Sequence, residues 1–253
     1  LMRELAGKKA DFDRVLIETT GVAHPGMLAH AILCDPMLKE SFLLDGIVTV
    51  VDALHLRRHL NDEGHATEQI AYADAVVINK TDLVSKQDLA VLQQQIRLMN
   101  SDARQLAAVN AQVSAEELLS LGGFDMKRIE NGVSGCSGQE FCAKEGKEKP
   151  HGHRHEIKSI SVVMDGELDA ELFQAWIERF IQFHADNLFR SKGILAVHGC
   201  PERLIFQGVH GLFRLTTGEP WNGAPRQTRA IFIGRGLDKK EIARGISSCK
   251  TNL

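Results

Sequence analysis

Apolar residues in the first half of the chain come in short, nearly unbroken runs. RVLIE (14–18), GIVTVVD (46–52), AVVIN (75–79) and RQLAAVN (104–110) are the clearest of them. Runs of this length, rich in β-branched residues and without alternation, suit strands buried on both faces, which belong to parallel sheets covered by helices. Between the third and fourth runs, Leu89, Leu92, Ile96 and Met99 recur at helical spacing behind Ser85, a suitable N-cap. The repeated strand–helix–strand order predicts right-handed crossovers and an α/β layer structure with helices on both faces of a parallel sheet.

The pattern changes from about Lys127 to Glu156, where Gly, Lys, Glu and His dominate and apolar anchors are few. That composition predicts a linker or loop. A second organisation follows. IKSISVVMD (157–165) alternates like a half-buried strand, and the next helical stretch sets Leu172, Phe173, Trp176, Ile177, Phe180 and Ile181 on one face behind Asp169, a candidate cap. Four further strand patterns (GILAVHG, RLIFQGV, GLFRLTT, RAIFIG) and a closing helix, DKKEIARGI, complete the chain. One strand, a helix, strands able to pair as a meander and a last helix predict a small α+β domain, with the aromatic stripe as its core. The division expected is therefore 1–126, a linker over 127–156, and 157–253.

Composition narrows the function classes. The 253 residues carry a formal net charge of −3, without the basic excess of a nucleic-acid binder. No apolar run approaches the roughly 20 residues that cross a bilayer, and the N-terminus lacks the apolar segment of a signal peptide. Five scattered cysteines, an odd number, point to reduced thiols in a cytoplasmic setting. Cys34, Cys200 and Cys249 are expected as ordinary buried thiols.

Candidate chemistry lies where the strands end, because parallel sheets bind ligands beyond their carboxyl edge. The first three runs end in Glu18-Thr19-Thr20-Gly21, Asp52-Ala53 and Asn79-Lys80-Thr81-Asp82. Asn79-Lys80-x-Asp82 has the makeup of a guanine reader. A carboxylate at Asp82 can accept two parallel hydrogen bonds from the guanine edge, a pair of donors that adenine lacks. Lys80 can lay its stem along the base face, and Asn79 can tie the loop to neighbouring backbone. The competing account is a plain strand-ending turn. Glu18 suits a Mg²⁺ held through water, and Gly21 could bring its N–H close to a terminal phosphate. Capping of a helix by Thr19 or Thr20 is the alternative there. Asp52 is assigned to capping the helix that ALHLRRHL predicts, and His24 to a solvated loop.

With these residues in place, the chain resembles the CobW-type metal-handling GTPases. LIETTGVAHPG, LLDGIVTVVDA and QIAYADAVVINKTDL match in the first half; RSKGIL, LIFQGVHGLF, PW and AIFIGRGLD match in the second. The resemblance implies a partial P-loop GTPase sheet followed by a CobW C-terminal α+β domain. It further implies GTP hydrolysis coupled to delivery of a transition metal, often zinc, to a client metalloprotein. Homo-oligomerisation is compatible with it. The Gly-rich phosphate loop and Cys-x-Cys-Cys motif of such proteins do not occur in these residues, and GCSGQEFC (135–142) has a different spacing. A chain cut from a longer protein is the expectation, since a sheet without its first strand would leave an open edge. His151, His153 and His155 share a face if extended and could converge on Zn²⁺ with Cys136 or Cys142; a solvated loop is the alternative. Beside the GTP-dependent metallochaperone stand two other readings, a non-hydrolysing client adaptor and a passive zinc buffer.

Overall fold

The computed structural model describes residues 2–8, 12–21, 23–56, 65–119, 121 and 156–251. The chain divides into two compact units, Leu1–Ile96 with Ala103–Phe124 and Arg97–Asp102 with Asp125–Leu253. Among the described residues no helix is long and apolar enough to cross a membrane.

The first unit opens with helices α1 (Met2–Ala6), α2 (Pro25–Cys34) and α3 (Pro36–Ser41). β1 (Val48–Asp52), α4 (His65–Tyr72), β2 (Ala75–Asn79), α5 (Lys86–Met99), β3 (Arg104–Ala107) and the single turn α6 (Ala115–Leu118) follow. The strands form a parallel sheet in the order β1-β2-β3, as the unbroken apolar runs predict. β2 is central, and Ala75 to Ile78 are buried on both faces. α5 starts where its sequence says it should. The Asp88 N–H donates to Ser85 Oγ at 3.1 Å, Ser85 Oγ donates to the Asp88 carboxylate at 2.6 Å, and Leu92 and Ile96 face inward.

RVLIE departs from expectation: residues 14–18 form no strand, and Leu16 and Ile17 are 84% and 43% exposed. A strand exists only through the ladder it shares with a neighbour, and this segment pairs with none of the three strands. Helix capping by Thr19 or Thr20 is not seen either, because α2 begins at Pro25 with His24 in the cap position. His24 is partly buried, its ring edge-on to Tyr72 at 5.1 Å and Nε2 3.8 Å from Glu68, which replaces the solvated histidine expected.

The second unit contains β4 (Ile157–Asp165), α7 (Ala170–Phe183), β5 (Leu188–Leu195), β6 (Glu202–Val209), β7 (Leu212–Pro220), β8 (Gln227–Arg235) and α8 (Lys239–Ser248). Its five strands are antiparallel in the order β4-β8-β5-β6-β7. β5, β6 and β7 form the predicted meander, but β8 inserts between β4 and β5. Burial explains the choice: Ala230 to Gly234 are buried without a break, whereas β7 buries no residue fully and suits an edge. α7 is capped by Asp169, whose Oδ1 accepts the Leu172 N–H at 3.0 Å. Phe173, Ile177, Phe180 and Ile181 pack with Phe206, Phe232, Ile242 and Ile246 as the core. Leu172 is 52% exposed, since a residue adjacent to Phe173 is rotated about 100° from it around the helix. After β4, Glu167 joins His198 Nδ1 at 2.9 Å and Arg226 Nε at 2.5 Å.

Three free cysteines are described. Cys249 is buried, as expected; Cys200 is only partly covered, and Cys34, at the end of α2, is exposed. Cys136, Cys142, His151, His153 and His155 lie outside the described residues, as does nearly all of the 127–156 segment.

Candidate nucleotide site

The strand register brings the chemistry together. Val48 pairs with Ala75 and Asp52 with Asn79, and Ile78 lies opposite Ala107, so the three strands open on one rim. Burial along β2 first breaks at Asn79. Asn79 serves three segments at once. Its carbonyl accepts the Ala53 N–H at 2.9 Å, and its side-chain Oδ1 accepts the Ala111 N–H at 2.8 Å. Asn110 and Ala111 both have positive φ, 51° and 55°, a conformation that two successive non-glycine residues hold only with outside support. Thr81 adds to that support: its N–H and hydroxyl both donate to the Ala108 carbonyl, at 3.1 and 3.0 Å.

Lys80 is itself left-handed, φ 60° and ψ 37°, at the start of the short 3₁₀ turn Thr81–Leu83. Its ammonium reaches across to β1 and meets Asp52 Oδ2 at 2.7 Å. Asp52 Oδ1 accepts the Leu54 and His55 N–H groups at 2.8 and 3.2 Å and so closes the turn that follows β1; the helix it was expected to cap lies largely outside the described residues. His55 Nδ1 approaches Asp52 Oδ2 at 3.1 Å. The Lys80 ammonium, followed by His55 and the two backbone donors, holds the Asp52 carboxyl far below the usual carboxylate range, against a smaller opposing effect of burial. Asp82, within the 3₁₀ turn, points its charge into solvent-exposed space.

Gly21, three residues after Glu18, is tied to α4. Glu18 and Gly21 are both exposed, Gly21 within a turn where the Ala23 N–H donates to the Thr20 carbonyl at 2.9 Å, and a Cβ at Gly21 would meet nothing within 4 Å. Gln69 of α4 donates through Nε2 to the carbonyls of Gly21 and Ala23, at 2.9 and 3.2 Å. The Gln69 carbonyl in turn accepts from Thr49 Oγ1 at 2.8 Å. Asn79 and Lys80 thus meet Asp52 at the rim, with Asp82 in the same short turn, while Gly21 is held by the Gln69 side chain of α4.

Two of these residues were missed as partners. Asp52 could have been found from strand alignment, since residues ending adjacent strands lie about 4.8 Å apart. Gln69 carries no signal of its clamp in QIAYAD. A concavity of about 480 Å³ beside β3, lined by Gln105, Ala107, Gln112 and Glu117 among others, includes none of the rim residues. Among the described residues no group of three or more His, Cys, Asp or Glu could hold a metal ion.

Comparison with known proteins accords with this arrangement. The CobW/HypB/UreG nucleotide-binding domain matches residues 1–107, and the cobalamin synthesis protein CobW C-terminal domain matches residues 157–250. The chain is 30% identical over 242 residues to the zinc chaperone YjiA of Escherichia coli, spanning 96% of this chain and 72% of the relative. It is 28% identical over 270 residues to the zinc-regulated GTPase metalloprotein activator 1 of Schizosaccharomyces pombe, spanning 94% and 64%. The crystal structure of Zn(II)-bound YjiA GTPase from E. coli matches with a TM-score of 0.80 at 27% identity, over 98% of this chain and 75% of that one. The chain belongs to the CobW family, with a CobW/HypB/UreG nucleotide-binding domain followed by a CobW C-terminal domain.

Proposed function

We propose that the protein is a GTP-dependent metallochaperone that delivers zinc to a client metalloprotein. The observation that supports this most is the rim itself: an exposed Asp82 carboxylate beside a fixed Lys80, on a loop braced by Asn79. Asp82 would accept the two donors of a guanine edge, and Lys80 would cover the base face with its stem. Glu18 is an exposed carboxylate suited to a water-mediated Mg²⁺, whose role would be to neutralise phosphate charge. Gly21 has the open surroundings that a phosphate-facing N–H needs. Zinc is the cargo, with His151, His153 and His155 as candidate collectors and the CobW C-terminal domain as the surface offered to a client. The zinc-linked names of the relatives support that cargo.

Competition of nucleotides against a fluorescent GDP analogue tests the reading. GTP and GDP are expected to displace the probe about 100-fold more effectively than ATP, because adenine would leave the Asp82 carboxylate unpaired. Asp82→Asn is expected to weaken guanine nucleotides and to favour xanthine nucleotides, whose C2 oxygen suits an amide donor. Equal displacement by ATP and GTP would end the proposal.

A further inference from the structure

Asp52 lies outside the Asn79–Asp82 motif, on another strand, yet its two carboxylate oxygens are used separately. Oδ1 takes only backbone donors, Leu54 and His55. Oδ2 takes the Lys80 ammonium at 2.7 Å and the His55 ring at 3.1 Å. An Asn or Ser would cap the following turn as well as Asp does. Only a carboxylate also offers a charged second oxygen to Lys80.

We infer that Asp52 is a positioning residue for guanine recognition: by gripping Nζ from β1, it holds the Lys80 stem across the rim as a preformed shelf for the base. The inference rests on the guanine reading above and adds to it a residue on a different strand. Lys80 needs such an anchor. Its side chain is 51% exposed and would otherwise sample many rotamers, each to be surrendered when a base docks. Asp52 can serve because it does not itself move: it is 26% exposed, ends a strand in register with Asn79, and is pinned by two N–H groups. The left-handed backbone of Lys80 sends the chain back toward Asp82 within two residues. One short loop thereby supplies both the face contact and the edge contact, and the ion pair fixes the first relative to the second.

A double-mutant cycle on the full chain, read by calorimetric titration of GDP and of GTP, tests this. Asp52→Asn keeps the capping oxygen and removes the charge on Oδ2. It is expected to weaken GDP and GTP by the same factor, about fivefold, because the lost contact serves the base and not the phosphates. Asp52→Ser, which also retains a cap, should match it, and both should lower the unfolding midpoint slightly and alike, since each loses the same Lys80 pair. Lys80→Met keeps the stem without the ammonium; in that background Asp52→Asn should have no further effect. Wild-type affinity in Asp52→Asn alongside weakened binding in Lys80→Met would overturn the positioning role and leave the guanine reading standing. A full Asp52→Asn effect in the Lys80→Met background would likewise overturn it. If neither Lys80→Met nor Asp82→Asn alters guanine affinity, the guanine reading fails and the positioning role falls with it.

Discussion

Gly26 and Tyr72 meet where α2 leans on α4. A Cβ at Gly26 would come within 2.5 Å of Tyr72 Cζ and 2.6 Å of its hydroxyl oxygen. Tyr72 is almost wholly buried, and that burial pushes its phenol well above the ordinary value. The ring has nowhere to retreat. Gly26→Ala is therefore expected to lower the stability of the first unit by about 1–3 kcal/mol, measurable as a lower urea midpoint with an unchanged slope. A different residue sets the acid response of the second unit. His198, with Arg226, holds the Glu167 carboxyl below its ordinary value of 4.5. A carboxyl depressed in the folded state contributes stability above the unfolded pKa and loses it as pH falls through the folded one. Glu167→Gln should therefore lower the thermal midpoint at pH 7, and the gap to wild type should narrow as pH drops below 4.5.

At the level of elements, α4 acts as a bracket for the segment that carries Glu18 and Gly21. One side-chain amide holds two carbonyls, those of Gly21 and Ala23, while the same residue's backbone is fixed to β1 through Thr49. Gln69→Ala should release that segment, and hydrogen exchange at residues 19–23 should accelerate while β2 and α5 remain protected. Much of this level was readable beforehand. AVVIN, the Ser85 cap with α5 and the Asp169 cap with α7 declare themselves locally, because period and capping chemistry are properties of a few adjacent residues. RVLIE did not, since a strand depends on a neighbour the local pattern cannot name. The same limit applies at the rim. Asn79, Lys80 and Asp82 form a contiguous motif, whereas Asp52 joins them only through a register set by two strands.

Across the whole molecule, two units of different construction follow one another. The first is a parallel sheet whose strand ends bring Asp52, Asn79 and Lys80 together; the second is an antiparallel sheet whose aromatic core is closed by α7 and α8. That contrast was legible from the switch between unbroken and alternating apolar patterns. The position of β8 was not, because strand order within a sheet leaves no local trace. β8 follows the other described strands in sequence, yet it is hydrogen-bonded to both β4 and β5. A nascent chain halted at Pro220 would present two unsatisfied ribbon edges instead of one sheet, inviting capture by chaperones or by other copies of itself. A premature stop just before Gln227 should thus leave β4 without the strand it pairs with and keep the sheet of the second unit from assembling.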